Sequence, residues 1–273
     1  MSKLKSILRI ALIEAVNNLF SIKGLTVFLT LFFFVRQELD DIIMQSTYYE
    51  CKIGWAILPY LHSKVIYTLI FAFSILYYYS DVPFLSDKSN YQLLRVGRNW
   101  WFIIKSARIF LGAVLLMFME LLVSILACFP RVEFGSGWGV FWNTVSLEQG
   151  IDISFPRNII TLYSPFEATM RVFLVGCFIV YLLGMLEFAV TLFFGKKYAI
   201  IICGILACGP VLAANSDYAN IYYISPVSWI GIVEHSLAYH YTGPRISYMY
   251  FMLLIIIAIL EIIIKRRVKY MDL

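Results

Sequence analysis

The sequence predicts an all-α polytopic membrane protein with six transmembrane helices and both termini on the inner side. Three observations lead there. Hydrophobic residues make up 61% of the 273-residue chain and charged residues only 14%, against about 25% charge in an ordinary soluble domain. The apolar residues come in long unbroken runs, not the short alternating strands of a lipid-facing barrel, and a bilayer admits few other architectures. Basic residues collect in alternate connections between the runs, as the positive-inside rule requires. The low charge excludes an ordinary soluble fold, a disordered chain and a coiled coil.

The elements follow in order. A helix crossing ~30 Å of hydrocarbon needs ~20 residues at ~1.5 Å each. Residues 1–18 place Leu4, Leu8, Ala11, Leu12 and Ala15 at helical spacing, with Lys5, Arg9 and Asn17 elsewhere, which predicts an amphipathic helix lying in the headgroup plane. A first span is expected at about 19–38, interrupted by Lys23 near its start. It runs into Arg36-Gln37-Glu38 with no small-residue cleavage site, so a cleaved signal peptide is not expected. Further spans are expected at about 60–79, 102–129, 166–194, 198–214 and 246–264, the fourth and fifth separated only by the charged turn Gly195-Lys196-Lys197.

With six spans, 15 of the 22 basic residues fall on the inner side, including Lys23, Lys105, Arg108 and the run Lys265-Arg266-Arg267. The outer loops, about 39–59, 130–165 and 215–245, hold most of the acids. Loop 130–165 shows no legible regular structure. In loop 215–245, the stretch from Tyr222 to Ile230 is too apolar for a free loop and too short to cross. Short re-entrant or interfacial helices are expected there, with Tyr and Trp at headgroup level.

Motifs for covalent chemistry are absent. The chain has no G-x-x-x-x-G-K-[ST], H-E-x-x-H or G-x-S-x-G, so it carries no phosphate cradle, zinc-protease helix or nucleophile elbow. Its basic residues are not interleaved with aromatics as a nucleic-acid groove requires, so nucleic acid is not an expected partner. Four of the five cysteines lie in apolar runs, without CxxC or zinc spacing. His62, His235 and His240 all fall at outer span ends and are expected to snorkel rather than bind metal.

Acids inside spans demand an account, since a charge at the bilayer centre costs on the order of 2.5–3.5 kcal/mol on insertion scales. Glu120 is the deepest and is read either as a hydrogen-bonded or protonated structural carboxyl or as part of a translocation path. Glu187 lies nearer the inner face. Glu261 is expected to pair with Lys265, and Glu167 with Arg171, both at i,i+4. Pro210, with Gly204 and Gly209, is expected to bend the fifth span.

The most distinctive stretch is the inner loop at 80–101. Pro83 stops the preceding helix, and Ser89 or Asn90 can cap a short new one carrying Tyr91, Leu93, Leu94 and Arg95. Gly97 closes it as a C′ glycine. Arg98 returns the chain to the membrane, and Trp100-Trp101 mark the interface. A transverse helix of this kind can seat in a groove on a soluble partner; read as residues alone, the stretch is equally a basic loop serving topology.

The pattern D-x-P-F followed by L-x-R-x-G-R-x-x-W, spanning Asp81 to Trp101 between the second and third spans, resembles the permease subunits of bacterial type-2 ABC exporters. The overall layout is similar along the whole chain, except that the outer loop 130–165 is longer than that class often keeps. The resemblance implies a plasma-membrane permease whose 80–101 loop is a coupling helix, with Asp81, Pro83, Tyr91, Leu93, Leu94, Arg95, Gly97 and Arg98 as its coupling residues. It implies as partners a dimer of cytosolic ATPase subunits, which would hold the ATP and Mg, and a second, identical or different, permease chain. The permease itself would carry no cofactor and no catalytic residue. Glu120, Glu187 and Pro210 would then belong to the translocation path or its gating. A self-contained proton-coupled transporter using Glu120 and Glu187 is the competing expectation, and an intramembrane enzyme a weaker one.

Overall fold

The computed structural model describes residues 2–83, 93–147, 155, 157–216, 220–231 and 244–270. Helix α1 (Ser2–Leu19) leads into α2 (Ile22–Tyr48) through a 57° bend. The Ser21 hydroxyl caps α2 by accepting from the Gly24 N–H at 3.3 Å. There follow β1 (Ile53–Gly54), α3 (Leu58–Leu61), α4 (Val65–Tyr79), α5 (Arg98–Ala127) and β2 (Val132–Glu133). After them come α6 (Gly139–Val145), α7 (Arg157–Leu162), α8 (Pro165–Phe194), α9 (Lys196–Ala207), α10 (Gly209–Ala214), α11 (Ile221–Ile224), a 3-10 turn (Pro226–Ile230) and α12 (Ile246–Lys269).

The chain is an all-α membrane protein by length and composition. Helices α5, α8, α9 with α10, and α12 are each long and apolar enough to cross a bilayer, and the bent pair α1–α2 makes a fifth candidate. Helix α8 is central: it packs on α4, α5, α9 and α12 and is mostly buried, whereas α12 keeps a broad exposed apolar face. Tyr79 wedges between α5 and α8 and donates a hydrogen bond to the Ile109 carbonyl at 2.8 Å. Gly184 makes room for it, since a Cβ there would lie 2.6 Å from Ile109 Cγ2 and 3.2 Å from the Tyr79 ring.

Several sequence expectations are corrected. Helix α2 runs about ten residues past the expected end of the first span, because Val27, Leu31, Val35, Leu39, Ile42 and Ser46 continue one buried stripe. The stretch expected as a continuous helix at 60–79 is broken at 62–64, leaving α4 with 15 residues and a length of about 22 Å. Helix α1 buries Ile7, Ala11 and Ala15, and packs along α5, while Leu8 and Leu12 stay about half exposed. Lys105 and Arg108, counted in the sequence only as inner-side basic residues, meet Glu14 of α1 at 3.1 and 3.0 Å.

The outer loop 130–165 is ordered where described. Parallel pairing of β1 with β2 joins it to the segment after α2, and Trp138, Phe141, Trp142 and Phe155 are buried around Tyr60. The sequence shows no legible regular structure in this loop, because the partner of β2 lies in a distant segment of the chain. Short helical turns do form where expected in 222–230: Val227, Ser228, Trp229 and Ile230 are buried, and the segment packs on α8 and α10.

Candidate functional site

Two places gather the residues singled out in the sequence. The first is the root of the inner loop. Helix α4 ends at Tyr79, ahead of Pro83 as expected. Asp81 receives Lys23 Nζ of α2 at 2.7 Å and lies 4.0 Å from Lys196 Nζ at the start of α9. Lys23 also donates to the Ser80 hydroxyl at 2.6 Å. Asp81 thus ties three helices together, and Pro83 beside it is buried.

On the far side of the loop, residues 93–96 are helical, with Leu93 buried, Leu94 77% exposed and Arg95 exposed. Gly97 has φ +86°, a backbone conformation that favours glycine. Its N–H donates to the Leu93 carbonyl at 2.9 Å, which is the closing bond expected of a C′ glycine. Arg98 opens α5 and donates to the Lys269 carbonyl at 2.7 Å, capping the last turn of α12. Trp101 is buried edge-on against Phe188 of α8, ring centroids 6.1 Å apart. Tyr91, Ser89, Asn90 and Lys88 lie outside the described residues.

The second place surrounds Glu120 on α5, which is fully buried. Its Oε1 accepts from the Tyr67 hydroxyl of α4 at 2.8 Å and lies 2.9 Å from Nε2 of His62, in the turn between α3 and α4. Sequence reasoning placed His62 at the outer surface. It is instead 3% exposed, its ring enclosed by Tyr67 and Phe71 at centroid distances of 5.5 and 5.2 Å. The break at 62–64 turns this imidazole inward, against the Glu120 carboxyl. A buried acid deep in an apolar run was the signal that a partner existed; nothing local identified which residue it was.

Glu187 on α8 is buried, and the charges of Lys23, Asp81 and Lys196 act on it. It shares no partner with Glu120, so the two acids do not form one cluster. Glu261 does not pair with Lys265. It accepts from the Tyr181 hydroxyl at 2.7 Å, and Tyr181 and Ser106 share a further hydrogen bond at 2.6 Å. That chain links α5, α8 and α12. Glu167 and Arg171 do pair, at 2.9 Å. Pro210 is buried in the first turn of α10, just after a break at Cys208 between α9 and α10, within the span expected at 198–214. His235 and His240 lie outside the described residues.

All five cysteines are free, and among the described residues no group of three or more His, Cys, Asp or Glu could hold a metal. Compared with protein-family models, curated proteins and solved structures, the chain matches none of them.

Proposed function

We propose that this chain is the membrane-spanning permease subunit of an ATP-driven ABC exporter, crossing the bacterial plasma membrane six times with both termini inside. Helices α3 and α4 together make the second span. The observation that carries this reading is the mounting of the 80–101 loop. One root is held by Tyr79 and by the Asp81–Lys23 pair, and the other by Trp101 and Arg98. Between them Leu94 and Arg95 stand exposed. A soluble ATPase subunit gripping those two side chains would push on α4 and α5 directly, and through Lys23 and Arg98 on α2 and α12.

Leu94→Asp combined with Arg95→Glu tests the reading. The tagged variant, purified from its own host beside the wild type, is expected to lose co-purifying vanadate-sensitive ATPase activity while keeping its thermal unfolding profile. Undiminished ATPase activity in the variant would overturn the coupling role.

A self-contained proton-coupled transporter is the second reading, favoured by one observation: Glu120 and Glu187 are both buried, each with a carboxylate oxygen lacking a partner among the described residues. Proton-driven uptake by proteoliposomes holding this chain alone, lost in Glu120→Gln, would select it.

A further inference from the structure

We propose that His62, Glu120 and Tyr67 form a proton-binding site that clasps α4 to α5 at the end opposite the inner loop. The imidazole and the carboxylate are each fully withdrawn from solvent. No lysine or arginine among the described residues pairs with Glu120. The groups that face the pair are few. Tyr67 donates from α4, and Cys177 of α8 and Glu38 of α2 are further titratable groups near the cluster. From the 3-10 turn side, the backbone at Gly231 approaches the His62 carbonyl.

Two atoms of the cluster, His62 Nδ1 and Glu120 Oε2, are buried without a hydrogen-bond partner among the described residues, and the Nε2–Oε1 contact lacks hydrogen-bond geometry at the ring nitrogen. The pair is therefore short of the hydrogens it can hold. Electroneutrality determines how many it takes. With one proton between them, the two groups are neutral or form a contact ion pair. A second proton leaves an imidazolium with no counter-charge, and removal of the first leaves a lone carboxylate. Both outcomes strand a charge in apolar surroundings, where burial is heavily penalised.

The location gives this occupancy a consequence. Helices α4 and α5 are the two joined by the 80–101 loop, and His62 and Tyr67 sit at the far end of α4 from it. Parting the outer ends of these helices would separate the carboxylate from the imidazole and rehydrate both. Proton binding and separation are then linked, each biasing the other. This consequence rests on the permease reading; the site itself does not.

The test uses the full chain alone in lipid nanodiscs, so its outcome is independent of any ATPase. Thermal unfolding is followed across pH for the wild type, His62→Gln, Glu120→Gln and the double variant. The coupling between positions 62 and 120 is expected to peak at intermediate pH and to fall away on both sides. His62→Gln, leaving only an acid, is expected to lose the wild type's acid-side fall in stability and to keep the alkaline one. Glu120→Gln, leaving only a base, is expected to do the reverse. Tyr67→Phe keeps both titrating groups and should keep both falls. Should the double variant not fold, the opposite limbs of the two single variants still decide the matter. A coupling that does not vary with pH, or single variants that lose the same limb, would overturn the proposal.

Discussion

Glu14 and Lys105 are 91 residues apart and meet at 3.1 Å, the Lys105 side chain only 2% exposed and the same Glu14 oxygen receiving Arg108 at 3.0 Å. One carboxylate on α1 thereby bridges two cations on α5. It explains why a helix with a half-exposed apolar face is held along α5 instead of lying free beside the bundle.

Removing that carboxylate should be costly. Glu14→Gln removes the carboxylate that both Lys105 and Arg108 contact, and a loss of about 3 kcal/mol is expected, in the range for breaking a buried pair. Lys105→Met should be milder, because Glu14 keeps Arg108 and the replacement side chain suits the site. Denaturant unfolding of the three proteins checks the order; a Glu14→Gln midpoint equal to the wild type's would refute it.

The Ser106–Tyr181–Glu261 chain makes a second expectation. Tyr181→Phe removes the hydroxyl that serves both neighbours, and a loss of about 1.5–3 kcal/mol is expected for a hydrogen bond to a carboxylate. Combined with Glu261→Gln, the loss should be well below the sum, since both changes break one network. Strict additivity would mean that the three groups do not act together.

Gly184 tests the packing that anchors Tyr79. Gly184→Ala places its methyl 2.6 Å from Ile109 Cγ2, and overpacking of this kind costs about 1–3 kcal/mol. Adding Ile109→Ala removes the obstructing methyl. The double variant should therefore be more stable than the two single losses predict, measured by the same unfolding experiment.

Neighbouring positions on the inner loop should behave oppositely. Leu93 is 6% exposed and Leu94 77%. Leu94→Asp is expected to change stability by no more than about 0.5 kcal/mol, as at other open surface positions. Leu93→Asp buries an unpaired charge and should lower the unfolding temperature markedly. Equal effects at the two positions would contradict the observed face of the 93–96 turn.

Sequence alone was enough for the membrane class, the helical character of the long apolar runs, the turn at Gly195 and the closing glycine at 97, because run length, caps and backbone preference are local properties. Periodicity could also have extended α2, whose buried stripe continues through Ile42 and Ser46. The partners of the buried polar groups were beyond it. His62 and Glu120 are read from two separate runs, and an imidazole near a helix end has the same local pattern whether it turns outward or inward. Glu261 had Lys265 one turn away, yet Tyr181 of α8 takes it. Only the packing of α4, α5, α8 and α12 decided these pairings, since burial forces each polar atom toward whichever group the neighbouring helix presents.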